Sequence, residues 1–235
     1  MTPQTNFNGF PAECVEFYNE LRKNNSKVWF DAHRSDFEQY VMTPARDFVS
    51  EMGLALKKIS PGIVADSRFN KSIFRPFRDV RFSKDKTPYK NHLGIFFWEG
   101  RLAKMDCPGY YFHLEPPNLM LGVGNHCFSR PILELYRESV VDPKYGKSLA
   151  KALQDIRAKG EYSIGIKEYK KVPRCYDKDH KNADLLLFGG LAAAFETNIP
   201  NEFYSKDIVD YSLEKFRDMS SIQKWLLEMI GRLKT

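Results

Sequence analysis

Long apolar runs are missing. Nowhere in the 235 residues does a hydrophobic stretch approach the roughly 20 residues that span a bilayer, so no membrane association is expected. The opening MTPQTNFNGFPAECVEF has no basic patch leading into an apolar segment, which argues against secretion and makes the cytoplasm the expected location. Cysteine is scarce: Cys14, Cys107, Cys127 and Cys175 lie far apart and form no CxxC, so neither a zinc ribbon nor a disulfide framework is indicated, and buried free thiols are expected. His33, His92, His113, His126 and His180 are not spaced as a metal set, and no metal ligands are assigned. A GxxxxGK[ST] phosphate loop, a GxSxG elbow and an HExxH helix are all absent. Gly122-x-Gly124 lacks the third glycine and the following helix of a dinucleotide site.

What is present is a globular composition, with 43% hydrophobic and 28% charged residues, far from the disordered regime. Residues 11–59 read as helices. Pro11 suits a first turn, and Thr43-Pro44 reads as an N-cap and N1 pair. After it, Ala45, Phe48, Val49, Met52, Leu56 and Ile59 form one apolar stripe that stops at Ser60-Pro61-Gly62. The period then changes. HLGIFFW (92–98), YYFHLE (110–115) and LMLGVG (119–124) are short aromatic or branched runs, the last two joined by Pro116-Pro117-Asn118, which predicts an antiparallel meander over about 92–124. Helical pattern returns at 131–140 and again from Pro143 to Gly160, followed by a short extended piece, YSIGI. Residues 169–182 have loop composition. An apolar helix is expected around 183–189 and a final helical pair over about 206–233. No repeat, low-complexity tract or Gly/Ser linker breaks the chain, so the expectation is one α+β domain over 1–235. It would have a central, mostly antiparallel sheet flanked by N-terminal helices (11–59) and a helical C-terminal part with a short strand (131–235), the strands and their preceding segment occupying 63–124.

Charge is concentrated. Residues 68–90 hold eight lysines and arginines against Asp79 and Asp85, an excess that equals the +6 of the whole chain. Gathering one sign in one stretch attracts anions better than spreading it evenly. Within RPFRDVRFSKDKTPYK (75–90), Arg75, Arg78 and Arg81 recur every three residues with Phe74, Phe77 and Phe82 among them, and Pro76 favours an extended or turning chain over a helix. Guanidinium forks match phosphate or carboxylate and stay charged when partly desolvated. Lys86 and Lys90 extend the cationic set. Asp79 is the natural internal partner, a carboxylate able to orient Arg78, Arg81 or both, or to act as a base. Thr87-Pro88 delivers Tyr89 into the first strand, where its phenol would donate to an anion or simply fill the core. His113 sits mid-strand, as a proton donor or as a core imidazole. Asp177, Asp179 and His180, together with Asp79 or Asp85, carry divalent-ligand chemistry; a polar helix-capping loop is the other reading.

The string Arg75-x-x-Arg78-Asp79-x-Arg81-Phe82-x-x-Asp85-Lys86-x-x-Tyr89 resembles the signature of a largely bacterial family of conserved hypothetical proteins, the domain of unknown function 2461. The resemblance extends to Asn24-Asn25 with Trp29-Phe30, to Gly109–Leu114 and to Lys171–Arg174 with Asp177–His180. It implies one family-wide domain and brings no established activity.

Three functional readings follow. In the first, Arg75, Arg78, Arg81, Lys86 and Lys90 hold a phosphate- or carboxylate-bearing small ligand, oriented by Asp79, with Tyr89 or His113 supplying a polar contact or a proton; an enzyme is one form of it. In the second, the basic, phenylalanine-rich stretch binds single-stranded nucleic acid. In the third, the Arg-Asp segment is an internal clamp with no ligand. No cofactor and no oligomeric state can be read from these residues.

Overall fold

The computed structural model describes residues 7–233. The chain is α+β, with a six-stranded antiparallel sheet flanked by helices. α1 (Ala12–Lys23) starts directly after extended Pro11 and turns Cys14, Phe17, Tyr18 and Leu21 inward at helical spacing. Ser26 caps α2 (Lys27–Ala32), its hydroxyl accepting from the Trp29 amide. From Arg34 the backbone stays helical to Leu56, through α3 (Arg34–Asp36), a π-helical stretch Phe37–Met42 and α4 (Thr43–Leu56). Thr43 is therefore inside a helix and does not cap one. Pro44, expected at the first position of a new helix, instead follows a π-helical stretch within one continuous helical run.

The strands are β1 (Ile63–Val64), β2 (Leu93–Glu99), β3 (Gly109–Glu115), β4 (Asn118–Asn125), β5 (Ser163–Lys167) and β6 (Phe188–Asn198), in the order β1-β2-β3-β4-β6-β5. The meander is present within a residue of the predicted limits. β6 was not foreseen: the apolar stretch expected as a helix is a short 3-10 turn (Ala183–Leu187) that runs into an 11-residue strand. FGGLAAAFETN is rich in alanine, a helix former, yet ladder bonds on both sides outweigh propensities worth a few tenths of a kcal/mol per residue. Gly124 takes φ +138 in β4, and a Cβ there would lie 2.2 Å from the Leu191 carbonyl oxygen, so this glycine serves close strand packing and no phosphate.

α5 (Arg130–Val141) and α6 (Pro143–Arg157) follow the predicted limits, with Asp142 capping α6 through the amides of Lys144 and Tyr145. The expected final pair is one helix, α7 (Ile208–Ile230). Within it the Ser220 hydroxyl donates back to the Arg217 carbonyl at 2.8 Å. Among the described residues no helix is long and apolar enough to cross a membrane.

The chain gathers into two compact units. One comprises the chain through Phe97 with Tyr111–Leu121 and Glu196–Glu214; the other comprises Trp98–Tyr110, Gly122–Phe195 and the chain from Lys215. The first has a phenylalanine core: Phe10 stacks on Phe203 at 4.8 Å, and Phe48 meets Phe112 at 4.7 Å. The second buries Tyr136 against Phe128 at 4.9 Å, with the Tyr136 hydroxyl donating to the Leu185 carbonyl and the Trp225 indole to that of Tyr145.

Candidate functional site

The signature segment runs irregularly beside β2, in the first unit. The Phe74 amide donates to the Gly94 carbonyl at 3.0 Å and the Phe96 amide to that of Ser72 at 2.9 Å. Further on, the Arg78 amide donates to the Pro88 carbonyl and the Lys90 amide to that of Pro76, so 76–78 and 88–90 pair and residues 79–87 form a projecting loop. Both prolines sit where only their carbonyls are used.

The three arginines have three different fates. Arg78 is held inside the loop by Asp85 at 2.6 Å and by the hydroxyl and carbonyl of Thr87. The Asp85 carboxyl is lowered to about 2, first by the Thr87 amide and then by Arg78. Arg81 makes a two-bond fork with Asp79 at 2.9 and 2.7 Å on the exposed loop surface, lowering the Asp79 pKa. Asp79 thus orients Arg81, and Asp85 performs that duty for Arg78. Arg75 is exposed and forms no ion pair among the described residues. Lys86 donates to the Val80 carbonyl at 2.9 Å. Lys90 is half-buried with its ammonium 5.4 Å from the Phe74 ring centre, and burial, then the Arg75 charge, lowers its pKa.

Tyr89 is in the core. Its ring stacks on Phe30 at 4.0 Å and meets Phe77 at 5.5 Å. Asn25 fastens its backbone: the Asn25 amide donates to the Tyr89 carbonyl at 2.9 Å and to the Asn91 side chain at 2.8 Å, and its oxygen accepts from the Tyr89 amide at 3.0 Å. The burial raises the Tyr89 pKa.

β3 presents a second cluster. Period two sends Phe112 and Leu114 into the core and Tyr111, His113 and Glu115 to the other face. His113 Nδ1 lies 2.9 Å from the Tyr111 hydroxyl, and Nε2 lies 3.4 Å from Glu115. His92, arriving just before β2, places its ring 4.4 Å from that of His113. One ligand atom from each of His92, His113 and Glu115 lies within 4.8 Å of the other two. Burial, with the charges of His113 and Lys90, lowers His92 to about 4, and burial pushes Tyr111 up to about 12. Gly94 makes room for the tyrosine, since a Cβ there would lie 2.6 Å from its hydroxyl. Beside the cluster is a groove of about 350 Å³ lined by Arg22, His113, Glu115, Asn118, Met120 and Glu196 around the Pro116-Pro117 turn. Arg22 donates to the Pro116 carbonyl at 2.6 Å and lies 4.0 Å from Glu115, while Asn118 donates to Glu196 at 3.1 Å.

Among the described residues, Asp177, Asp179 and His180 do not gather as ligands. Asp177 accepts from the Asp179 amide and His180 Nδ1 from the Asn182 amide, which is capping chemistry. The four cysteines are free; Cys14 and Cys107 are buried as expected, but Cys127 and Cys175 are exposed because both lie in connecting loops. Sequence reasoning singled out His113, touched Asn25 and Tyr111 only through the resemblance and without a role, and missed Glu115, His92, Arg22 and Glu196. The signal for Tyr111 and Glu115 was legible: Tyr111-x-His113-x-Glu115 is a polar period-two pattern along a predicted strand. His92, Arg22 and Glu196 join it only through chain pairing.

The family model described as conserved hypothetical protein (DUF2461) matches residues 13–225. No curated protein matches the chain, and no solved structure does.

Proposed function

We propose that this chain, which belongs to the DUF2461 family of conserved hypothetical proteins, binds a small ligand through a phosphate or carboxylate group held by Arg75 and Lys90. The observation that carries this reading is Lys90: a half-buried ammonium over the Phe74 ring, close to the Arg75 guanidinium, with no carboxylate partner among the described residues. Two cations held together at a cost in desolvation are stabilised by an anionic guest. The signature divides accordingly. Arg78, Asp85, Thr87 and Tyr89 fasten the segment, as the clamp reading requires, while Arg75 and Lys90 remain for recognition. The test is isothermal titration of the full chain with inorganic phosphate, pyrophosphate and citrate. The Arg75→Ala/Lys90→Ala double variant should lose the response, whereas Arg81→Ala should keep it; equal responses from the double variant and the parent would refute the site.

The nucleic-acid reading has its own supporting observation. Phe69, Phe77 and Phe82 are 55%, 45% and 96% exposed within the basic segment, and the Arg81 guanidinium lies 5.8 Å from the Phe82 ring centre. Exposed rings among cations suit base stacking beside phosphate contacts. Under this reading a labelled oligothymidylate binds with steep salt dependence and Phe82→Ala weakens it about 5- to 160-fold, from the 1–3 kcal/mol of a stacked base. Affinity unchanged by Phe82→Ala would remove its support.

A further inference from the structure

We infer that His92, His113 and Glu115 form a binding site for a divalent first-row transition ion, with zinc as the reference, whose open coordination position faces the groove beside the Pro116-Pro117 turn. Its three ligands are not among the residues proposed to hold the anion, Arg75 and Lys90, although the Lys90 charge reaches His92.

The geometry begins in the strand register. His113 and Glu115 are two residues apart on one face of β3, and His92 enters from the start of the neighbouring β2. All three therefore hang on or beside sheet backbone, the most rigid support a site can have. The His113 Nε2 to Glu115 separation of 3.4 Å equals the edge of a tetrahedron with metal bonds of about 2.1 Å. The 4.8 Å limit on the whole set leaves a closure of about 1.4 Å at most to that tetrahedral edge, within the reach of rotations of the exposed Glu115 side chain.

A supporting contact is already in place. The Tyr111 oxygen lies 2.9 Å from His113 Nδ1, so that with a metal on Nε2 the Nδ1 proton has an acceptor in place. Ligating histidines are held in this way by a hydrogen bond to the other ring nitrogen. Gly94 keeps the space in which the tyrosine lies.

Ligand type selects the ion. Two imidazoles and one carboxylate suit zinc and its neighbours, whereas magnesium and calcium want oxygen sets. Three protein ligands leave a position for water or substrate, and the adjoining groove of about 350 Å³ supplies the volume. The charges facing that position are Arg22, anchored on the Pro116 carbonyl, and Glu196, tied to Asn118. The Lys90 charge acts on His92, and it disfavours a bare dication while favouring an anionic fourth ligand.

Equilibrium dialysis of the tag-free full chain against zinc chloride should give close to one equivalent bound. Cobalt substitution should give the visible absorption of a four-coordinate nitrogen and oxygen site. Glu115→Gln and His92→Ala should each weaken zinc binding at least tenfold, and Tyr111→Phe about tenfold, as loss of a supporting hydrogen bond does. Arg75→Ala and His180→Ala should leave it unchanged. Glu115 is exposed, so its variant keeps the fold and the test remains decisive if a histidine variant does not. No zinc retained, or one equivalent retained undiminished in Glu115→Gln and in Tyr111→Phe, overturns the assignment.

Discussion

Asn25→Ala removes the fastening between the N-terminal helices and the signature segment, and its cost can be worked from the contacts. The side chain makes three hydrogen bonds, two to the backbone of Tyr89 and one to Asn91. Tyr89 is 3% exposed, so water does not replace the lost partners easily. Three bonds at about 1 kcal/mol each give about 3 kcal/mol, inside the roughly 2–6 kcal/mol of two backbone groups left unsatisfied at 1–3 kcal/mol each. For a chain of this size that corresponds to a fall in melting temperature of about 6–12 °C, at about 2–4 °C per kcal/mol. The assay is differential scanning fluorimetry beside amide hydrogen exchange read at residues 88–91, where protection should drop most. The control is Asn24→Ala: that side chain is exposed and donates to the Glu20 carbonyl within its own helix. It should cost no more than about 1 kcal/mol. A melting-temperature loss below about 2 °C for Asn25→Ala, or equal losses at the two positions, would refute the fastening argument.

The Tyr89 hydroxyl makes no hydrogen bond among the described residues, so Tyr89→Phe should change unfolding free energy by less than about 0.5 kcal/mol. Tyr89→Ala should cost about 3–5 kcal/mol by removing the ring stacked on Phe30; chemical denaturation of both variants separates a packing role from a hydroxyl role. Because the Asp85 carboxyl is depressed from 3.8 to about 2, its contribution is present in full above the ordinary value and is lost as pH falls through the depressed one. The Asp85 carboxyl carbon followed by NMR should titrate with a midpoint near 2; a midpoint near 4 would mean that Thr87 and Arg78 do not hold it. Of the four thiols, Cys127 and Cys175 should react with a disulfide reagent in the native protein, while Cys14 and Cys107 should wait for unfolding, since burial both shields them and raises their pKa. Four fast thiols, or rapid reaction surviving Cys127→Ser/Cys175→Ser, would contradict the burial.

Period and punctuation determined much of this protein. The apolar stripe after Pro44, the alternation in YYFHLE and the Pro-Pro-Asn turn were enough to predict helices, then a meander, then helices, because each depends on neighbours within about ten residues. The segment that carries the excess charge was also legible, and so was its resemblance to a family. β6 was not legible, since a strand of alanines and glycines is made by the strands on either side against the helical preference of its alanines. Partner choice inside the signature was equally a matter of tertiary structure. Spacing suggested Asp79 for both Arg78 and Arg81, but the loop folds back through Pro76 and Pro88 and brings Asp85 to Arg78 instead. The polar cluster on β3 marks the boundary most clearly. Alternation alone puts Tyr111, His113 and Glu115 on one face, while His92 joins them only because β2 pairs beside β3, a contact between residues about twenty positions apart that no local pattern encodes.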